Sequence, residues 1–371
     1  MDTTDAPQMM EHIHKSITFT PNDTRWVPCS ARFVVTGIHP RAKGALVVYE
    51  LNKGKLKLVH ERETDAGIKC CTFGASSLED RHLACGDYNG KLAIYDLERN
   101  DVAAWSASAH KSIINAVDGL GGPESTYGAP ELVTGGRDGC VRVWDPRISE
   151  PVVKLEPREG ETARDCWTVA FGNAYTDEDR CLAAGYDNGD VKLFDLRTQT
   201  MRWETNVKNG VTGLDFDRND IEMNKLVVTT LESKFRTYDM RTQHPEDGFA
   251  HLSEKAHKST VWLARHLPQN RDLFMTGGGN GGFNLYKYHY PSSRTKNDKA
   301  SLRFGFGNPT WCFFYHVGRV VVVVRVKAHA QRTTRQQVTA EIDLVSSSNH
   351  SVQYTKFVLL LGDVHDTRLI V

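Results

Sequence analysis

An all-β fold built by repeating one hairpin is what this sequence predicts, and two observations predict it. The first is the stretch Leu132–Arg147, LVTGGRDGCVRVWDPR. A short apolar strand, Leu132–Thr134, is followed by Asp138-Gly139 and then by a second strand, Cys140–Trp144. Asp-Gly between two alternating runs is a hairpin signal, and it predicts a type I′ turn with positive φ at both central residues. Period-two alternation sets Val141 and Val143 on one face and Arg142 and Trp144 on the other.

The second observation is that the unit returns. Tyr49, Tyr95, Trp144, Phe194, Tyr238 and Tyr286 each close a short strand and are spaced 44–50 residues apart. Five positions before them stand Gly44, Gly90, Gly139, Gly189, Ser233 and Gly281. A period of roughly 40–50 residues, with one hairpin and a Trp-Asp or its variant per unit, is the signature of WD-repeat β-propeller blades. Six blades are recognisable.

The elements follow in order. Residues 1–20 are polar with a strand-like piece at Ile13–Phe19, expected to supply the outer strand of the last blade. Blade one runs through Trp26, Phe33–Thr36 and Leu46–Tyr49, with a degenerate turn at Lys43-Gly44. Blade two holds Cys70–Phe73, Leu83–Gly86, an Asn89-Gly90 turn and Lys91–Leu97. Blade three is the unit above. Blade four reads Cys166–Phe171, Cys181–Gly185, Asn188-Gly189 and Val191–Phe194. Blade five reads Val211–Phe216, Leu226–Thr230 and Phe235–Tyr238. Blade six carries His257, Trp262, Leu273–Thr276, Asn280-Gly281 and Phe283–Tyr286.

Blade three has the fullest set of polar side chains: His110 before its first strand, Thr134 in the second, Asp138 in the turn, Trp144 at the end of the third. Each is a group that needs a partner when buried, which predicts a hydrogen-bonded network of structural purpose. A catalytic relay through the same residue types is disfavoured, because the hydroxyl lies on an inner strand. His257 and Thr276 repeat part of the set in blade six, and the other blades depend on apolar packing. Gly277–Gly282 lacks the Lys-Ser/Thr of a phosphate loop and opens a strand, so it reads as a hairpin turn.

Composition sets the outer limits. The chain has 371 residues, 40% hydrophobic and 25% charged, with a formal net charge of +0. No global basic field draws it to nucleic acid or to an anionic membrane. Eight cysteines show no metal-ligand spacing, and the adjacent Cys70 and Cys71 cannot bridge without strain. Buried free thiols in a reducing compartment are expected, with Cys85, Cys140, Cys166 and Cys181 inside strands. The start, MDTTDAPQMMEHIHK, lacks the apolar core of a secretory signal, and Val320–Val324 is too short to span a bilayer.

After Pro291 the repeat fails. Ser292–Lys299 is linker-like. Beyond it come GFGNPTWCFFYHVGRVVVVVRVK, a Thr/Gln/Ser-rich stretch and a last apolar run, Phe357–Leu361. Residues 1–291 read as the propeller. Residues 292–371 read as a divergent tail, poorly ordered or a partial replacement of the last blade.

Several passages are similar to one family. RDCWTVAFGNAY (Arg164–Tyr175), GYDNGDVKLFDLR (Gly185–Arg197), DMRTQHP (Asp239–Pro245), SEKAHKSTVW (Ser253–Trp262) and RHLPQNR (Arg265–Arg271) resemble the Monad family of WD-repeat dynein axonemal assembly factors. The likeness covers about residues 7–291, linkers between blades included. It implies a seven-bladed propeller acting in the cytoplasm of ciliated cells as an adaptor or co-chaperone. The implied partners are a chaperone complex of RuvB-like ATPases, prefoldin-like subunits and a tetratricopeptide adaptor, with dynein chains as clients. The family continues past Tyr290-Pro291 into a last blade with Trp-Ser-Pro and Asp. Here that text is replaced abruptly, which reads as an alternative exon or read-through.

Binding on a propeller sits on its rims and faces. The face near the start of each first strand and the second-to-third-strand turn is expected to expose Lys69, Tyr88, Asn115, Arg137, Asp165, Trp167, Asp187 and Trp262. Aromatics and Arg in one patch suit a hot spot. The competing reading of Trp167 and Trp262 is that they cap blade cores. Trp144-Asp145-Pro146-Arg147, echoed by Phe194-Asp195-Leu196-Arg197 and Asp239-Met240-Arg241, resembles the box by which substrate receptors dock on cullin-4 ubiquitin ligases. A turn capped by the Asp and paired to the Arg is the favoured explanation. No paired carboxylates, metal-ligand cluster or nucleophile motif stands out, so neither enzyme activity nor a cofactor is expected, and Cys166 reads as a core thiol.

Overall fold

Each hairpin of the sequence is the middle of an antiparallel sheet. A computed structural model of the chain describes residues 8–99, 103–121, 131–158, 160, 162–173, 179–217, 222–255, 257–267, 270–288, 320–327 and 359–361. Among them all helix and strand structure is strand. β1 is Gln8–Ser16. Blade one is β2 (Thr20–Trp26), β3 (Arg32–Ile38), β4 (Gly44–Asn52) and β5 (Lys55–Thr64). Blade two is β6 (Ile68–Thr72), β7 (Leu83–Asp87), β8 (Lys91–Tyr95) and β9 (Trp105–Ser108). Blade three is β10 (Ile114–Gly119), β11 (Leu132–Gly136), β12 (Val141–Trp144) and β13 (Val153–Leu155). Blade four is β14 (Cys166–Gly172), β15 (Cys181–Tyr186), β16 (Asp190–Asp195) and β17 (Thr200–Asn206). Blade five is β18 (Val211–Phe216), β19 (Lys225–Thr230), β20 (Lys234–His244) and β21 (Gly248–Lys255). Blade six has three described strands, β22 (Val261–Leu267), β23 (Asn270–Gly278) and β24 (Phe283–Lys287). The first strands of successive blades pack side by side, which sets six blades in a propeller arrangement.

The core lies between blades. Val141 and Val143 pack with Cys166, Phe171 and Leu182 of blade four, while Leu132 and Trp144 pack with Leu92 and Ile94 of blade two. Both faces of each sheet are therefore buried, which explains why the strands read as near-continuous apolar runs. Burying one such Val, Leu or Phe contributes about 1.5–3 kcal/mol, so the interfaces between blades carry much of the stability. At the register of Thr134, blades one, two, four and five hold Val35, Cys85, Ala184 and Val228, all buried. Those blades close by packing alone at that point.

The hairpin turn differs from the expected type. In blade three Gly139 accepts φ +77 but Arg137 and Asp138 stay at negative φ, and the Gly139 amide bonds the Gly136 carbonyl at 3.1 Å. This is a type I turn followed by a left-handed glycine, not type I′. The glycine meets a second demand. The chain leading into the next blade crosses directly over it, so that a Cβ on Gly139 would press on the Arg164 backbone and one on Gly90 on the His110 carbonyl. Gly277–Gly282 forms the same turn, with Gly281 at φ +83.

Two further boundaries move. Cys140 lies in the turn rather than in a strand, because β12 begins at Val141. The N-terminal strand is Gln8–Ser16 rather than Ile13–Phe19, and Ile17 and Phe19 instead enter the apolar cluster of blade one. β1 pairs antiparallel with β25 (Val320–Lys327), which pairs parallel with β26 (Leu359–Leu361). β1 is thus the edge of a three-stranded sheet shared with the tail, and β26 lies beside β2. The boundary at Pro291, the linker Ser292–Lys299 and most of the tail lie outside the described residues.

Candidate functional site

Every first strand is interrupted at the same place. Register breaks between Pro21 and Asp23, Ile68 and Cys70, Ile114 and Ala116, Cys166 and Thr168, Val211 and Gly213, and Val261 and Leu263. Such a bulge leaves one residue without a ladder partner and re-aims its side chain. The six residues are Asn22, Lys69, Asn115, Trp167, Thr212 and Trp262. All are half-buried, and all line one central channel enclosing about 290 Å³.

The ring alternates in role. On blades one, three and five the bulge residue reaches sideways. Asn22 Nδ2 donates to Ile68 O at 2.7 Å, Asn115 Nδ2 to Cys166 O at 3.0 Å, and the Thr212 hydroxyl to Val261 O. Each acceptor immediately precedes the next blade's bulge, so these three polar groups tie neighbouring blades. On blades two, four and six the residues are Lys69, Trp167 and Trp262. Lys69 Nζ lies 5.6 Å from the Tyr88 ring centroid, a cation–π distance. Burial pushes the Tyr88 phenol up, although Asn22 bonds it.

Of the eight residues expected on this face, Lys69, Asn115, Trp167 and Trp262 meet at the channel mouth. Asn115 has its amide committed to blade four. Tyr88 supports Lys69. Arg137, Asp165 and Asp187 do not line the channel. They bond one another instead: Arg137 Nε pairs with Asp165 Oδ2 at 3.6 Å and the Asp187 amide bonds Asp165 O at 3.0 Å.

The polar network of blade three is continuous. Trp144 Nε1 donates to Thr134 Oγ1 at 3.0 Å, Thr134 Oγ1 lies 2.8 Å from His110 Nε2, and His110 Nδ1 lies 2.8 Å from Asp138 Oδ1. Burial pushes the Asp138 carboxyl up, but the His110 bond and the amides of Lys111 and Cys140 outweigh it and hold it well below the usual carboxylate range. In blade six His257 Nε2 lies 2.8 Å from Thr276 Oγ1, and burial lowers the imidazole to about 4. Asn280, in the place of Asp138, bonds Ser259 instead. These side chains are inside the blades, not on the mouth.

A second ring was missed in the sequence. Three residues beyond each bulge stand Arg25, Thr72, Asp118, Ala170, Asp215 and Arg265. Asp215 accepts from Arg265 Nη1 at 2.8 Å, from the His266 amide at 2.7 Å and lies 2.7 Å from His266 Nδ1; His266 Nε2 in turn lies 2.9 Å from the Tyr288 hydroxyl. Asp118 accepts from the Phe171 amide at 2.9 Å. Burial pushes both carboxyls up. It prevails at Asp118, whose helpers are mainly backbone amides, and it loses at Asp215, where His266 and Arg265 stabilise the anion. Counting three from a shared bulge would have found this ring, but a bulge is visible only once strands pair.

In the Asp145–Arg147 turn, Arg147 Nε and Nη2 bond the Asp145 carboxylate at 3.0 and 2.6 Å, and the Arg147 amide caps it at 2.9 Å. Asp195 caps its own turn through Arg197 and Thr198, and Asp239 pairs with Lys225 at 3.0 Å. The Cys166 thiol is fully buried and pushed up by burial, and its sulfur lies 3.7 Å from Thr168 O. Among the described residues no group of three or more His, Cys, Asp or Glu could hold a metal ion, and every described cysteine is free.

Known proteins resemble this one at two levels. A model described as WD domain, G-beta repeat, matches residues 104–145. Dynein axonemal assembly factor 10 of Homo sapiens is 57% identical over 306 residues, covering 82% of this chain and 86% of that protein. The protein of the same name in Chlamydomonas reinhardtii is 54% identical over 307 residues, with the same shares of 82% and 86%. In fold, a chain of the mitotic checkpoint complex superposes with a TM-score of 0.56 at 16% identity, covering 71% of this chain and 73% of that one. At that identity the last likeness concerns architecture alone.

Proposed function

The chain belongs to the dynein axonemal assembly factor 10 family, and we propose that it is a non-catalytic scaffold in the cytoplasmic preassembly of axonemal dynein arms. It works with a chaperone complex of RuvB-like ATPases, prefoldin-like subunits and a tetratricopeptide adaptor, and it holds dynein chains as clients. The observation that carries this reading is the channel mouth. Side chains that tie blades together alternate there with Lys69, Trp167 and Trp262, and the two indoles are of the kind that anchors protein interfaces. The polar groups that resemble a relay are engaged in holding blades closed.

The test is affinity capture of the full-length protein from ciliated cells, followed by mass spectrometry. Dynein heavy chains and RuvB-like ATPases are the expected catch. A catch lacking both overturns the reading, and recovery of a cullin-4 adaptor that is lost on Arg147→Ala replaces it with a substrate-receptor role.

A further inference from the structure

The mouth is asymmetric. Between the indoles of blades four and six, blade five lines the channel with Thr212, Gly213 and Leu214, and Gly210 precedes them. A Cβ on Gly210 would meet the Trp167 ring and Leu231 at about 3 Å, so Trp167 and Leu231 converge over bare backbone. Leu231 is 37% exposed, one of few large apolar side chains so open. One polar group of this floor is already bonded, because the Thr212 hydroxyl donates to Val261 O and lies 2.9 Å from Thr229 Oγ1. The result is a largely apolar slot, bordered on one side by the Asp187 carbonyl beside Gly210.

Around the slot runs a basic crescent. The segments leading into blades three to six carry Lys111, Arg164, Lys208 and Lys258, all exposed. These segments cross the turn glycines of the preceding blades, as at Gly90, Gly139 and Gly189, so the four cations share the end of the channel where the bulges lie. Nearby, Arg137 is paired with Asp165 and Lys234 with Glu232.

We infer that this mouth docks an acidic segment of a partner protein through one bulky apolar residue. The apolar side chain enters the slot between Trp167 and Trp262, and flanking Asp or Glu residues meet Lys208, Lys258, Arg164 and Lys111. Charge complementarity selects the acidic flanks, steers the encounter and suppresses basic partners. The recessed, half-buried indoles select a side chain projecting from a peptide, because a flat lipid surface cannot follow them into the channel. This rests on the scaffold reading and gives it a ligand chemistry.

The experiment measures fluorescence anisotropy of a fluorescein-labelled peptide of alternating Glu and Asp around a central Leu, titrated with the full-length protein. Saturable binding is expected, weakening by about tenfold for Lys208→Glu with Lys258→Glu. It should also weaken when the central Leu becomes Ser, and as salt screens the crescent. The charge-reversed residues are exposed, and an unchanged urea midpoint verifies that the variant is folded. The inference is overturned if a peptide with Lys in place of Glu and Asp binds as tightly, or if the double variant binds unchanged. It is also overturned if phosphatidylserine vesicles recruit the wild type and Trp262→Ala equally while the peptide does not bind. Failure here with capture of the chaperone ATPases intact rejects this docking mode and leaves the scaffold reading standing. Peptide binding without that capture does the reverse.

Discussion

Thr134 receives the indole N–H of Trp144 at 3.0 Å and stands 2.8 Å from the Nε2 of His110. One hydroxyl therefore serves two rings, one ending β12 and one in the segment that leads into β10. The proton order that satisfies all four groups runs from Trp144 to Thr134, from Thr134 to His110, and from His110 Nδ1 to the Asp138 carboxylate. Thr134→Val keeps the shape and removes the relay, leaving two buried groups unsatisfied. Each such orphan costs about 1–3 kcal/mol. Urea unfolding should show a loss of that order, whereas Cys85→Val at the matching register of blade two should lose less. Equal losses would mean the network contributes nothing beyond packing.

His257 gives the pH dependence a sign. Burial lowers its folded value to about 4 from an ordinary 6.5. The unfolded chain then binds the proton first, so stability is full above about pH 6.5 and falls as pH drops toward 4. The loss is about 3 kcal/mol at 1.36 kcal/mol per unit. Asp138 acts lower: its depressed carboxyl contributes fully above about pH 3.9 and is lost only as pH falls towards its folded value. Urea midpoints between pH 7 and 4.5 should therefore fall in the wild type and stay flatter in His257→Gln. Parallel slopes in the two proteins would count against the assignment.

Two aspartates test burial as the source of ion-pair energy. Asp215 serves Arg265, the His266 ring and the His266 amide from inside the channel wall. Asp165 meets Arg137, which is 60% exposed. Asp215→Ala should cost about 1–3 kcal/mol because it leaves the buried His266 ring and amide without their acceptor, while Arg265, 46% exposed, can turn to water. Asp165→Ala should cost under about 1 kcal/mol. The reverse order, read from chemical denaturation, would show that the ring three residues beyond the bulges is not structural.

Two glycines separate strain from crowding. Gly54 and Gly90 have φ of +77 and +83, but a Cβ meets nothing within 4 Å at Gly54 and overlaps the His110 carbonyl at Gly90. Gly54→Ala should lose about 1–2 kcal/mol, the cost of a left-handed alanine. Gly90→Ala should lose more, and its hydrogen exchange should rise between blades two and three. Matching losses would mean the crossing segment yields freely.

Much of the site was legible, and its limits are instructive. Trp167, Trp262 and Lys69 could be placed on one face because they stand just after the lead-in segments of repeating blades. Arg137, Asp165 and Asp187 were grouped with them on the same logic, yet they do not line the channel. Being near the mouth in sequence does not aim a side chain into it. Asn22 and Thr212, which do line the mouth, carry no local mark.

By itself the sequence determined the inner strands of each blade, where their turns fall and the number of recognisable blades. Those follow from alternation and backbone preference within a dozen or so contiguous residues, as Val141–Trp144 and Gly139 illustrate. Only the tertiary structure decided which channel residues bind their neighbours and which face the opening. The amide of Asn115 is spent on Cys166 O, a group 51 residues away on the next blade. Trp167 at the equivalent bulge instead lies against Gly210 of blade five. That difference depends on what the following blade places alongside, and no local pattern encodes it.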